Sequence, residues 1–139
     1  GSIVYQNGTD SLNKNYTSRT ALSYLTEKLR QHDHTDGISI RELDGIPSLV
    51  LYEEQNGTHY CTYLYFYDGA LRELFTQASN VPSADMGTVI AELSGFTFSV
   101  ESTHDGSESV LLITVTDTEG KRHYSTEFIY LLLHCPLRK

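Results

Sequence analysis

The stretch TALSYLTEKLRQHD, Thr20–Asp33, decides how the fold is read. Leu22, Leu25 and Leu29 recur at intervals of three and four, with Tyr16 and Ala21 flanking the stripe. Arg19, Glu27, Lys28 and Arg30 take the other faces. That spacing lines apolar side chains along one side of an α-helix, and the segment is rich in good helix formers. The predicted helix runs from about Ser11 to Gln31. The polar run QHDHTDG then breaks it, closing on Gly37, and its basic side chains suit the negative end of the helix dipole.

Everything after Gly37 reads as strand and turn. ISIREL (Ile38–Leu43) leads through the turn DGIP into SLVLYEE (Ser48–Glu54). QNG signals a hairpin into THYCTYLYFYD (Thr58–Asp68), and Asp68-Gly69 signals another into ALRELFT. Consecutive strands joined by tight turns pair most simply as an antiparallel meander. A run of turn formers, QASNVPSAD, separates this half from the next. TVIAEL (Thr88–Leu93) is ambiguous between a helical turn and a strand. GFTFSVES, SVLLITVTD and KRHYSTEFIYLLL follow, the last after Glu119-Gly120. In FTFSV, Phe96, Phe98 and Val100 alternate with Thr97 and Ser99, so one face is buried and one is wet. The expected architecture is therefore α+β: one domain over residues 1–139, with a long N-terminal amphipathic helix packed on an antiparallel sheet spanning about 38–133.

Bulk properties narrow the function. The 139 residues suffice for a core, and 39% hydrophobic with 20% charged residues fits a folded domain. A net charge of −8 opposes binding to nucleic acid or anionic lipid, which needs a basic face. No run is long and apolar enough to span a membrane. Gly1-Ser2 reads as a cloning remnant, so an upstream segment is expected. Ten tyrosines, no tryptophan and two cysteines suit an exported domain. Cys61 and Cys135 make one candidate pair, for which free thiols are the preferred expectation. Asn7, Asn15 and Asn56 each begin an Asn-x-Thr triplet, although Asn7 and Asn56 also precede glycine as turn formers do.

Two stretches carry a family likeness. SRTALSYLTEKLRQHD looks like the amphipathic second half of a subunit's N-terminal helix, and GFTFSVES…LLITVTDTEG…YSTEFIYLLL looks like closing strands. In order and pattern the chain resembles the soluble part of type IV pilin-like proteins, especially minor pseudopilins of type II secretion and Gram-positive competence systems. The likeness covers most of the chain in pattern rather than in motif. The family's prepilin processing site and its apolar, glutamate-bearing stretch do not occur in these residues. The resemblance implies a non-catalytic, extracytoplasmic subunit, anchored in a membrane by a removed upstream segment. It implies other pilin-like or secretion-system subunits as partners, and an isolated domain that is monomeric.

Candidate chemistry is sparse. His32-Asp33-His34 with Asp36 is the densest set of candidate metal ligands, His32, His34 and Asp36 being the ones to watch, but no third strong ligand sits at a characteristic spacing. A calcium loop fails, because placing Gly37 sixth puts His32 first and Leu43 last. His59 and Cys61 lie two apart on one strand, yet nothing orients the histidine. Phosphate loops, serine nucleophile elbows and metalloprotease helices are absent from the sequence. No catalytic residue and no cofactor are therefore expected. Cys61, Tyr63, Tyr65 and Tyr67 share one face of their strand, and Tyr60, Leu64 and Phe66 the other. An exposed row of Tyr63, Tyr65 and Tyr67 would suit binding of sugar, peptide or a neighbouring subunit, whereas a covered row would be core. An extracytoplasmic binding module using that face is the alternative to the assembly subunit.

Overall fold

The structure, a computed structural model, describes residues 16–33, 37–102, 109–129 and 131–132. It begins with helix α1 (Ser18–Gln31), capped by Thr17, whose hydroxyl accepts a hydrogen bond from the Thr20 amide at 3.2 Å. That bond satisfies one of the orphan amides of the first turn. Lys28 and Arg30 lie in the last turn, where the carbonyl ends favour cations. The His32 amide closes the helix on the Leu29 carbonyl at 3.1 Å.

The strands follow in order: β1 (Ile38–Leu43), β2 (Ile46–Gln55), β3 (Thr58–Tyr67), β4 (Ala70–Gln77), β5 (Thr88–Glu92), β6 (Gly95–Ser102), β7 (Ser109–Thr116), β8 (Arg122–Ile129) and β9 (Leu131–Leu132). The predicted meander is present as β1 to β4, with each strand antiparallel to the next, and the ambiguous TVIAEL extends it as β5, antiparallel to β4. Its first three hairpins turn on Asp44-Gly45, Asn56-Gly57 and Asp68-Gly69, and all six residues have positive φ. Two successive left-handed residues make the turn whose twist matches that of the flanking strands.

The expected fold class does not hold. The molecule is mostly β, with two sheets rather than one and a helix of 14 residues rather than a long one. One sheet has six strands in the order β5-β4-β3-β2-β1-β9, with the short β9 parallel to β1. The other has three, in the order β6-β7-β8. The helix is shorter than predicted because Thr17 is extended and caps the chain there, and because the Tyr16 amide bonds to the Ile90 carbonyl of β5 at 2.7 Å. The stretch 11–15 lies outside the described residues. The sheet divides because the backbone changes partner between adjacent residues. The Leu93 amide bonds to Gly69 of the first sheet, and the Ser94 amide bonds to Thr116 of the second.

One core lies between the sheets. Ala21, Leu25 and Leu29 of α1 meet Leu49, Leu51, Leu64, Leu71 and Ile90 of the large sheet, together with Phe96, Leu111, Ile113 and Val115 of the small one. Leu25 and Leu29 are fully buried, as predicted, while Leu22 is half-buried at the margin. A second cluster lies on the opposite face of the large sheet, from Leu43, Val50, Cys61, Tyr63, Tyr65, Leu74 and Ala84. This tyrosine-bearing face holds the candidate site.

Candidate functional site

Strand alternation gathers Arg41 from β1, Tyr52 from β2, and Cys61, Tyr63, Tyr65 and Tyr67 from β3 on this face. Register sets Tyr52 directly opposite Cys61. The segment 78–87 between β4 and β5 crosses the face and is pinned by its own backbone. The Tyr65 hydroxyl donates to the Ala84 carbonyl at 2.6 Å, and the Ala84 amide donates to the Asp44 carboxylate at 3.1 Å. Arg72 donates to the carbonyls of Tyr67 and Gly87, at 3.1 and 3.3 Å, and its guanidinium lies 5.4 Å from the centre of the Tyr67 ring.

The expected binding row is consequently not an open platform. Tyr65 is 0% exposed and Tyr63 only 6%, and Tyr67 is half-buried beside Arg72. Burial pushes the Tyr63 and Tyr65 hydroxyls above their ordinary range. Tyr63 and Tyr65 behave as core, and the polar tip of Tyr65 has found a partner in the Ala84 carbonyl. Cys61 is a buried free thiol, which burial pushes up to about 11 against a weaker opposing pull from Arg41. A thiol so shifted is a poor nucleophile at neutral pH, and His59 stands exposed further along the strand. Cys135 lies outside the described residues; Cys61 itself is unpaired, in keeping with the preference for free thiols.

The metal candidates are not brought together either. His32 is occupied, with Nδ1 at 3.0 Å from the Lys28 carbonyl and Nε2 at 3.3 Å from Glu53. His34 and Asp36 lie outside the described residues. Among the described residues no group of three or more histidine, cysteine, aspartate or glutamate side chains is arranged to hold a metal. Asn56 occupies the left-handed first position of its turn, where asparagine is tolerated, which accounts for it without glycosylation. Asn7 and Asn15 lie outside the described residues.

What the sequence reading missed is a cleft of about 680 Å3 at the far end of this face. Arg41, Tyr52, Thr58, His59, Gln77 and Ser79 are among its lining residues. Arg41 donates to the Tyr52 hydroxyl at 2.6 Å. Burial is the largest effect and works against the guanidinium's charge, but the Tyr52 hydrogen bond and the electrostatic pull of Tyr52, Tyr63 and Cys61 together outweigh it, and the group stays cationic. The signal was legible in ISIREL: alternation puts Ser39 and Arg41 on the tyrosine side of the sheet.

No helix among the described residues is long and apolar enough to cross a membrane. No curated protein and no solved structure matches the chain. A family model described as Domain of unknown function (DUF4860) matches residues 16–118, from the residue bonded to β5 to just past β7, and the chain belongs to that family.

Proposed function

We propose that this chain is the folded part of a non-catalytic, extracytoplasmic assembly subunit. A segment upstream of Tyr16 tethers it to a membrane, and it works through contacts with other pilin-like or secretion-system subunits. The role resembles that of a minor pseudopilin without the long helix of that fold. One observation carries the reading: the first described element is fastened to both sheets. The Tyr16 amide is bonded to β5, Lys28 pairs with Glu73 of β4 at 3.4 Å, and Arg30 pairs with Glu127 of β8 at 3.4 Å. The Tyr24 hydroxyl donates to Glu73 as well. The solvent-open Arg30 pair contributes little, but each fully buried leucine of the stripe contributes about 1.5–3 kcal/mol. A pull applied at the chain's entry is thus carried by the common core of both sheets. The net charge of −8 favours a tether over direct adhesion to anionic headgroups.

The test compares full-length protein with a version lacking everything before Tyr16, by cell fractionation and by crosslinking to neighbouring subunits. The full-length protein should sediment with membranes and crosslink to partners, and the shortened one should do neither. Identical behaviour of the two overturns the tethered-subunit reading. A second reading, an extracytoplasmic binding module, is favoured by the cleft beside Arg41, and it would gain if the shortened protein kept its partner.

A further inference from the structure

We propose that the cleft beneath the Gln77–Ser79 turn binds the carboxylate of a small aromatic acid or of a peptide end, with Arg41 as the anion-holding residue. The charge balance comes first. Among the described residues Lys28 and Arg30 each lie within reach of a glutamate, and the half-buried Arg72 is instead held by two backbone carbonyls. Arg41 has no carboxylate within ion-pair distance among the described residues, although the protein carries a net charge of −8. The groups interacting with it electrostatically are Tyr52, Tyr63 and Cys61, two phenols and a thiol rather than carboxylates, and burial holds the Tyr63 and Cys61 protons above their ordinary range. A half-buried cation surrounded by neutral partners has an uncompensated charge, which a bound anion would offset.

Geometry narrows the anion. A guanidinium has five N–H donors, and one bond, to the Tyr52 hydroxyl, holds Arg41 in place while leaving others for a bidentate carboxylate. The remaining polar lining, Thr58, His59, Gln77 and Ser79, supplies hydrogen-bonding groups and no further lysine or arginine. One positive charge matches one negative charge. A phosphate dianion would bring a second charge, and Glu54, directly across from His59 in register, would oppose it. The cleft volume of about 680 Å3 falls within the range that holds small organic ligands, and Tyr52 gives it an aromatic wall. The site is independent of tethering, so failure of either proposal leaves the other standing.

The experiment is an amide-resonance titration of the isolated chain with four probes: benzoate, N-acetyl-phenylalanine, N-acetyl-phenylalaninamide and inorganic phosphate. Benzoate or N-acetyl-phenylalanine should shift the Gly57 and Thr58 amides saturably in the millimolar range. The amide, which keeps the ring and loses the charge, should bind at least about tenfold more weakly, as expected when a charge-assisted pair is lost. Tighter binding of N-acetyl-phenylalanine identifies a peptide end as the source of the carboxylate, and tighter binding of benzoate a free acid. Arg41→Gln should abolish saturation, and Arg41→Lys should weaken it without removing it. Equal binding of acid and amide, phosphate binding as tightly as either acid, absence of any saturable shift, or an unchanged Arg41→Gln titration each overturns the proposal. The acid–amide comparison uses the unaltered protein, so it decides the matter even if Arg41→Gln fails to fold.

Discussion

The two faces of the six-stranded sheet are built by the same strands in alternation, yet they are finished in opposite ways. On one face Leu49, Leu51, Leu64 and Leu71 lie under α1 and the whole second sheet. On the other, Val50, Cys61, Tyr63 and Tyr65 lie under the single crossing segment 78–87. Aliphatic side chains need only apolar cover, which helix and sheet supply without regard to direction. A buried tyrosine also needs an acceptor for its hydroxyl, and an irregular segment with free carbonyls provides one where a regular element would not. The chemistry of each face therefore selected its cover. A thin cover also leaves room at its edge, and that is where the Arg41 cleft opens.

The comparison can be broken first on the thick side. Leu25→Ala should cost about 2–5 kcal/mol in urea unfolding, because the leucine is fully buried between α1 and both sheets. A wild-type midpoint for that variant would mean that α1 does not close the core. On the thin side, Gly87→Ala should cost about 1–3 kcal/mol, as overpacking does. The backbone there, at φ −75° and ψ 153°, accepts alanine, so the whole cost is steric. An added Cβ would meet the Tyr65 hydroxyl, and it would lie 2.9 Å from the Tyr65 Cζ and 3.1 Å from the Arg72 Cβ. Tyr65→Phe should offset part of that cost in the double variant; strict additivity of the two would place the crossing segment elsewhere.

A gentler probe uses proton linkage. The folded Cys61 thiol is raised to about 11 from 9.0, so folding favours its neutral form. Its contribution is complete below about pH 9 and is lost as pH rises from there through about 11. Wild-type protein should accordingly lose more stability over that interval than Cys61→Ala, and equal losses would show an accessible thiol. The smallest expected effect is at Arg30, whose side chain is 65% exposed in its pair with Glu127. Arg30→Ala should cost about 0.5 kcal/mol or less. A much larger loss would move the attachment of α1 from its buried stripe to its rim.

Local features were legible in the sequence, and non-local ones were not. The three hairpins were readable because Asp-Gly and Asn-Gly accept two left-handed residues, a property of the dipeptide itself. The end of α1 at Gln31 and the burial of Leu25 and Leu29 followed from spacing alone. Its beginning did not, because the Ser- and Thr-rich run before it offers several capping residues and no glutamate to single one out. TVIAEL, which periodicity left undecided, became β5 through pairing with β4, with Ile90 and Ala91 buried. The split into two sheets turns on Leu93 and Ser94 bonding to partners distant in sequence, which no local pattern encodes. The same holds for the tyrosine row. Alternation placed Tyr63, Tyr65 and Tyr67 on one side, but nothing in QASNVPSAD announces a segment that will lie across them.

The attachment of α1 to β8 also has a consequence in time. Arg30 and Glu127 are separated by 97 residues, so joining them closes a very long loop. The chain entropy of such a closure is on the order of 4 kcal/mol before any contact repays it. The hairpins β1 to β4 close over short turns and can assemble while later residues are still being synthesised. The helix that leads the chain must wait for strands near its other end. Its leucine stripe is then among the last apolar surfaces to be covered, and the nascent protein is most open to misassociation along that stripe.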